Sequence, residues 1–325
     1  MRLGSIVPQL NPKRGQFDAI VAVNRTLCRE HFGLTLRVPF FPATSPGQFV
    51  QVACADEPEE LPELDWGDER PPRLSGTEIS ERTAILRRPF SLAGRRDTAE
   101  GVELDLIHRV VGVGTDWLSR LSVGDSVSVI GPLGNTFTLP QEGGTALLVG
   151  GGVGIPPMIY LASQLAGRPA VAFCGALTRD LLALTIETNS ESPAVGGAMN
   201  VAEFARHGVP AVISTDDGSY GYRGFVTQAL EQYLDQFFPT GGPAPRPTIY
   251  TCGPEPMMKR IADIAASRDL SVQIAVERAM ACGMGTCQSC VIKVKTGDAG
   301  DPTVAWRYKL ACTDGPVFAG RDLLW

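Results

Sequence analysis

Four cysteines near the C-terminus constrain this chain more than any other feature. Cys282, Cys287 and Cys290 stand in the run MACGMGTCQSCVIKV, and Cys312 follows in LACTDGPVF. The spacing, C-x4-C-x2-C and then one distant cysteine, is that of plant-type [2Fe–2S] sites held by four thiolates. Two bridged irons need soft, anionic ligands converging on a small volume. The loop bearing three of them must therefore wrap closely, and Gly283 and Gly285 allow it to turn. Small neighbours, Ala281, Thr286 and Ser289, leave main-chain N–H groups free to point at the sulfurs, which stabilises their charge. Buried structural cysteines or a zinc site are the alternatives. Zinc usually shows two C-x2-C pairs or added histidines. Here there is one such pair, and His31, His108 and His207 are far off in sequence. A cluster of this kind moves electrons one at a time.

The chain has 325 residues, enough for two or three domains with proper cores. Its mean hydropathy is near zero, and no apolar run approaches the ~20 residues a membrane span needs. The N-terminal stretch lacks the apolar core of a signal peptide. A cytoplasmic location is expected, where thiols stay reduced and free to ligate iron. The net charge of −6 is unevenly placed: segment 56–82 holds ten acidic and three basic residues, so the rest sums to about +1. That segment, rich in Pro and Glu, reads as a solvated insertion. No basic patch argues for nucleic acid.

Three regions follow from the patterning. Residues 1–142 carry short period-two segments between turns (FDAIVAVNRTLC, FGLTLRVPF, PGQFVQVAC, VELDLIHRVV, DSVSVIGPLG), which predicts a small antiparallel barrel with 56–82 inserted. In 143–270, apolar strands alternate with helical segments: TALLVGGG then IPPMIYLASQLAG, PAVIST then FVTQALEQYLDQFF, PTIYTC then PEPMMKRIADIAAS. That alternation predicts an α/β domain with a parallel sheet. Residues 271–325 form the small cysteine-bearing module.

Several motifs could carry ligands, each with a plain structural alternative. The turn Gly150-Gly151-Gly152-Val153-Gly154 ends a strand and opens a helix, which suits a pyrophosphate; an ordinary strand-to-helix turn looks the same. Cys252-Gly253-Pro254 lies at the carboxyl end of another strand, where Cys252 could face a nicotinamide ring or simply be a small buried residue. In Arg87-Arg88-Pro89-Phe90-Ser91 an arginine could grip a phosphate and the aromatic could stack on a ring. Gly112-Val113-Gly114-Thr115 precedes a short helix and could hold phosphate. Asp216 and Asp217 either accept from a free ribose hydroxyl or cap a turn.

Taken in order, RRPFS, GVGT, GPLGN, GGGVGIPP, TDDGSYG, TCGPEPMM and the cysteine run ending in CTDGPVF resemble the ferredoxin–NADP reductase superfamily. More closely, they are similar to the electron-transfer subunits of bacterial dihydroorotate dehydrogenases, over nearly the whole chain except 56–82. The resemblance implies FAD on the barrel, held by Arg88, Pro89, Phe90 and Ser91, lined by Ile107, His108 and Arg109, with its phosphates at Gly114 and Thr115. It implies NAD over Gly151, Gly152 and Gly154 and beside Asp216, Cys252, Gly253 and Pro254, and the cluster on Cys282, Cys287, Cys290 and Cys312. Carboxylates at 216 and 217 would repel a 2′-phosphate, so NADH is expected over NADPH. The implied function is electron transfer between NADH, FAD, the cluster and the flavin of a catalytic dihydroorotate dehydrogenase subunit, in a heterotetramer serving pyrimidine biosynthesis. No side-chain acid or base is required, so none is assigned. The small subunit of a ferredoxin:NADP or sulfide dehydrogenase complex would look similar. A non-catalytic scaffold should have lost ligands, whereas all four cysteines, Arg88 and Ser91 are present. Three departures stand out: Phe90 where the superfamily often has tyrosine, a long Cys290–Cys312 gap implying a loop insertion at about 297–306, and the acidic insertion.

Overall fold

The computed structural model describes residues 13–55, 64–65, 73–74, 84, 86–165, 167–187, 196–239, 241–242, 245–296 and 306–325. Most of the acidic insertion and nearly all of the loop expected at 297–306 lie outside them.

The first region supplies β1 (Gly15–Cys28), β2 (His31–Val38), β3 (Phe49–Val52), the short pair β4 (Leu64–Asp65) and β5 (Arg73–Leu74), β6 (Arg88–Ser91), β7 (Gly94–Thr98), β8 (Gly101–Arg109), α1 (Val113–Arg120) and β9 (Ser126–Leu133). Seven of these strands form one antiparallel sheet in the order β6-β3-β9-β1-β2-β8-β7. The strict alternation along β8 buries Val102, Leu104, Leu106 and His108 on one face, as a half-solvated strand should. Those leucines meet Leu34, Leu36, Val50, Val52 and Leu118 in the core beneath the sheet.

The second region contains β10 (Ala146–Gly151), α2 (Ile155–Gln164), β11 (Ala170–Ala176), α3 (Ala202–Ala205), β12 (Ala211–Thr215), β13 (Tyr222–Arg223), α4 (Val226–Phe237), β14 (Thr248–Cys252), α5 (Glu255–Ser267) and β15 (Ser271–Ala275). The last region adds β16 (Val291–Lys295), β17 (Trp306–Leu310), β18 (Val317–Ala319) and β19 (Leu323–Leu324). The second sheet runs β13-β12-β11-β10-β14-β15-β18, parallel except for β18. β10 is buried along its whole length, the mark of a strand covered on both faces. Pro156 and Pro157 start α2, where the missing N–H groups would have had no partner. Ile155 to Ala162 are all buried, and the helix meets solvent only at its C-terminal end, at Gln164. Its Tyr160 hydroxyl donates to the Thr44 carbonyl at 2.9 Å and shares a 2.7 Å bond with the Thr44 hydroxyl, tying the two sheets.

The parallel sheet does not end at residue 270. β15, expected in the cysteine module, pairs in parallel with β14 from Thr248↔Ser271 to Cys252↔Ala275. The C-terminal β18 then pairs with β15. The reason is burial: Val272 and Ile274 pack with Ile261 and Ala265 of α5. The cysteine module proper is the three-stranded sheet β17-β16-β19 with the loop before it. Phe49 and Leu133 of the first sheet, Leu147 and Val149 of the second, and Cys290 and Cys312 share one apolar cluster. Among the described residues no helix is long and apolar enough to cross a membrane.

Candidate redox site

A cleft of about 1020 Å³ opens where the two sheets and the cysteine module meet. From the first sheet it is lined by Arg88, Pro89, Phe90 and Ser91 of β6 and by Ile107, His108 and Arg109 of β8, together with Thr115. From the second it is lined by Gly151 and Gly152 before α2, Asp216 after β12 and Pro254 before α5. The sequence motifs thus come together on one cavity, because the carboxyl ends of the parallel strands face the edge of the antiparallel sheet.

The two arginines of RRPFS separate. Arg87 donates to the Ser128 carbonyl and hydroxyl, both at 2.8 Å, and is anchored to β9. Arg88 is the one on the cleft, steadied by the Leu86 carbonyl at 2.7 Å. His108 is 2 % exposed, and neither ring nitrogen has a hydrogen-bond partner among the described residues. It stacks on Phe32 directly across the strand pair, with Phe90 edge-on at 6.0 Å. Burial pushes its pKa down to about 4, so the ring is neutral near pH 7. Thr115 accepts from the N–H groups of Val111 and Gly112 at the start of α1.

The aspartates also divide. Asp217 accepts from the N–H and hydroxyl of Ser219 at 3.0 and 2.6 Å, a turn cap, and Ser219 holds its carboxyl below the usual range. Asp216 faces the cleft; burial, and then Asp217, raise its pKa.

Four expected residues do not form the wall. Gly114 is packed behind it, where an added Cβ would lie 3.0 Å from Cys54 and 3.2 Å from Ala84. Gly154 lies against the Cys252 carbonyl, and Gly253 against Met257. The Cys252 side chain is buried in the core of the second sheet, and burial pushes its thiol up. There it packs as a small apolar residue would.

The cysteines form a second cluster of functional groups. Cys290 and Cys312 are buried, Cys282 is half-buried and Cys287 is exposed. The N–H groups of Met284 and Cys287 both point at the Cys282 sulfur, at 3.4 Å. The Ser289 hydroxyl lies 3.2 Å from the Cys287 sulfur and, with its own N–H and Cys282, brings that thiol down to about 6. Burial, then the neighbouring Cys290 and Cys282, push Cys312 up to about 12. Cys282 thus bears on both Cys287 and Cys312, and Cys290 bears on Cys312. Among the described residues no three His, Cys, Asp or Glu side chains converge as a single metal ion requires.

The cysteine module, residues 277–324, matches the family model of the iron–sulfur cluster binding domain of dihydroorotate dehydrogenase B, and residues 148–263 match the oxidoreductase NAD-binding domain. The dihydroorotate dehydrogenase B (NAD(+)) electron transfer subunit of Geobacillus sp. is 34% identical over 75% of this chain and 82% of its own length. That of Caldanaerobacter subterraneus is 32% identical over 96% and 99%. The chain belongs to this family of electron transfer subunits. Among solved structures, the NADH-dependent reduced ferredoxin–NADP oxidoreductase, studied for flavin-based electron bifurcation, is 25% identical over 94% of this chain and 90% of its own, with a TM-score of 0.66. An Amycolatopsis cytochrome P450 reductase, 24% identical with a TM-score of 0.55, shares the fold. This member of the electron transfer subunits is accordingly an NAD-linked flavin and iron–sulfur oxidoreductase subunit.

Other cleft residues escaped the sequence reading. Phe225, Val226 and Thr227 at the start of α4 line it; the rule that helix N-termini face ligands in such sheets could have found them. His31, Met280 and Pro316 line it too. Met280 and Pro316 stand beside the cysteines, in MACGMG and CTDGPVF, while His31 is carried there by β2; only the fold shows that they reach the cleft.

Proposed function

We propose that this chain carries electrons from NADH, through FAD in the cleft, to a [2Fe–2S] cluster on Cys282, Cys287, Cys290 and Cys312, and on to the flavin of a dihydroorotate dehydrogenase catalytic subunit. The observation that carries the reading is the single cleft walled by both sheets, with Met280 reaching from its wall into the apolar cluster that holds Cys290 and Cys312. Flavin, nucleotide and cluster sites are thus contiguous. β6 and β7, at opposite edges of the first sheet, are separated in the chain only by Leu92 and Ala93, which supports a closed barrel. The natural division is then 1–142, 143 to about 276, and the cysteine module from there to 325. The cellular setting would be the cytoplasm, where a bacterial enzyme's cluster thiols stay reduced.

The residues fit the groups. The cleft has the volume for a large ligand. Arg88 would neutralise phosphate charge beside the N-terminus of α1, and the unpartnered ring of buried His108 offers a donor or acceptor to a flavin edge. Gly152 leaves open space above the start of α2 for a nucleotide pyrophosphate. Three cysteines on one tight loop, with Cys312 sharing the apolar cluster of Cys290, suit two irons with two thiolates each. When bound, FAD supplies the exchange between two-electron hydride chemistry and one-electron transfer. The protein positions the ring, excludes water from its apolar wall and keeps His108 neutral. Exposed Cys287 and Met284 put the cluster loop at the surface, where a partner would dock.

Anaerobic titration of the purified holoprotein with NADH should bleach the flavin and then raise the paramagnetic signal of a reduced cluster. Iron- and flavin-replete protein that shows neither would sink the reading. Asp216→Arg should raise the KM for NADH and lower that for NADPH, each about tenfold. Equal use of both nucleotides by the unaltered protein would remove the role of Asp216. The 25% identical oxidoreductase favours a second reading, the small subunit of a ferredoxin:NADP-type complex. The copurifying partner separates the two: a subunit that oxidises dihydroorotate supports the first, a large flavin and iron–sulfur subunit the second.

A further inference from the structure

Gln51 lies between the cleft and the cysteines. It sits on β3 opposite Pro89 of β6 on one side and Ile130 of β9 on the other. Its side chain is fully buried, and among the described residues neither its amide oxygen nor its nitrogen has a hydrogen-bond partner. Leaving such groups unmet is costly. The other residues of β3, Phe49, Val50 and Val52, are apolar, so an apolar residue would serve the core better. An amide retained here calls for a polar partner that the protein itself does not provide.

Its direction identifies the partner. Side chains alternate along a strand, and Val50 and Val52 enter the core of the first sheet. Phe49 and Gln51 therefore project from the other face. Phe49 lines the cleft and belongs to the apolar cluster of Cys290 and Cys312, against which Ile130 also packs. Gln51 itself meets the cysteine loop at Gly283, the residue after Cys282. A Cβ added at Gly283 would lie 2.6 Å from Gln51 Cγ and 2.8 Å from Nε2. Glycine is required there both for its φ of 71° and for room beside the amide. The same loop turns two main-chain N–H groups onto the Cys282 sulfur. A half-turn of the amide exchanges its oxygen and nitrogen without moving the chain.

We propose that Gln51 donates a hydrogen bond from Nε2 to a sulfur of the iron–sulfur cluster and so raises the cluster's reduction potential. This rests on reading the four cysteines as cluster ligands. Reduction adds negative charge, and a donor aimed at sulfur stabilises the more charged form. Gln51 thereby links the flavin-side strand pair β3–β6 to the cluster loop and favours electron arrival at the cluster.

The test uses the intact holoprotein. Gln51→Met keeps the length and removes the donor; Gln51→Glu keeps the shape and replaces the donor with an acceptor. Redox titration followed by electron paramagnetic resonance should show the cluster potential moved negative in both, by a three- to tenfold change in the one-electron equilibrium, tenfold being 59 mV. In unaltered protein carrying ¹⁵N on its glutamine side-chain amides, pulsed resonance should detect nitrogen coupled to the reduced cluster, and that coupling should fall away in either variant. An unchanged potential in a variant with full iron overturns the proposal, as does absence of the coupling in the unaltered protein, even if both variants fail to fold. Unaltered protein that binds no iron overturns the cluster reading and this inference with it. Iron bound without the coupling overturns this inference alone.

Discussion

His108 and the cysteines show how burial sets the behaviour of single residues. The folded protein takes up a proton at His108 only below about pH 4, the unfolded chain already below about 6.5. Between those values the unfolded state binds more protons, so stability falls as pH drops through that window, by on the order of 3 kcal/mol in full. Thermal melts between pH 7 and 4.5 should therefore be flatter for His108→Phe than for the unaltered protein. Equal slopes would remove His108 as the cause. Cys290 is 1% exposed and sits in the shared apolar cluster. Cys290→Ala should abolish the visible absorbance of the cluster while NADH still bleaches the flavin at a rate within about twofold. Loss of flavin bleaching as well would mean that the cysteine loop holds up the flavin site. Which members of the Arg87–Arg88 and Asp216–Asp217 pairs face the cleft could not be read from residue type. Each pair places the same chemistry on adjacent positions, and strand alternation in one case and a turn cap in the other separate them.

Elements were legible in proportion to their periodicity. The alternation of β8, the continuous apolar run of β10 and the one-sided pattern of α4 fall where the sequence places them. That β15 joins the parallel sheet is not legible locally, because a five-residue strand carries no label of the sheet it will join; only its pairing with β14 and β18 decides that. The Gly-rich turn was found, but part of its meaning was missed. Gly154 serves the close approach of α2 to β14, since a Cβ there would overlap the Cys252 carbonyl. Gly154→Ala should cost about 1–3 kcal/mol through that overlap and raise the KM for NADH by displacing the start of α2. Urea denaturation and NADH titration would check both. A stability change without any effect on NADH would confine this glycine to packing.

At the scale of the molecule, the three parts are clasped by polar contacts between distant segments. Asn135, in the GPLGN motif, donates to the carbonyls of Asp314 and Val317 at 3.1 and 2.8 Å and accepts from the Val317 N–H at 2.8 Å. It thus fixes the end of the first region to the segment just after Cys312. Asn135→Ala should cost about 2 kcal/mol or more from three lost bonds. Hydrogen exchange should rise first in the last fifteen or so residues, the segment that the clasp holds. Uniform exchange across the molecule would show that the clasp is not local. By itself the sequence determined the spacing of the four cysteines, the order of strand-like and strand–helix segments and the family to which the chain belongs. Cysteine spacing, Gly-rich turns and period-two runs are local codes, written within a few residues. Tertiary structure alone decided that Cys252 turns inward and that Gln51 lies between β6 and the cysteine loop. Those outcomes depend on strand register and on contacts between segments as distant as Gln51 and Gly283, for which no local pattern exists.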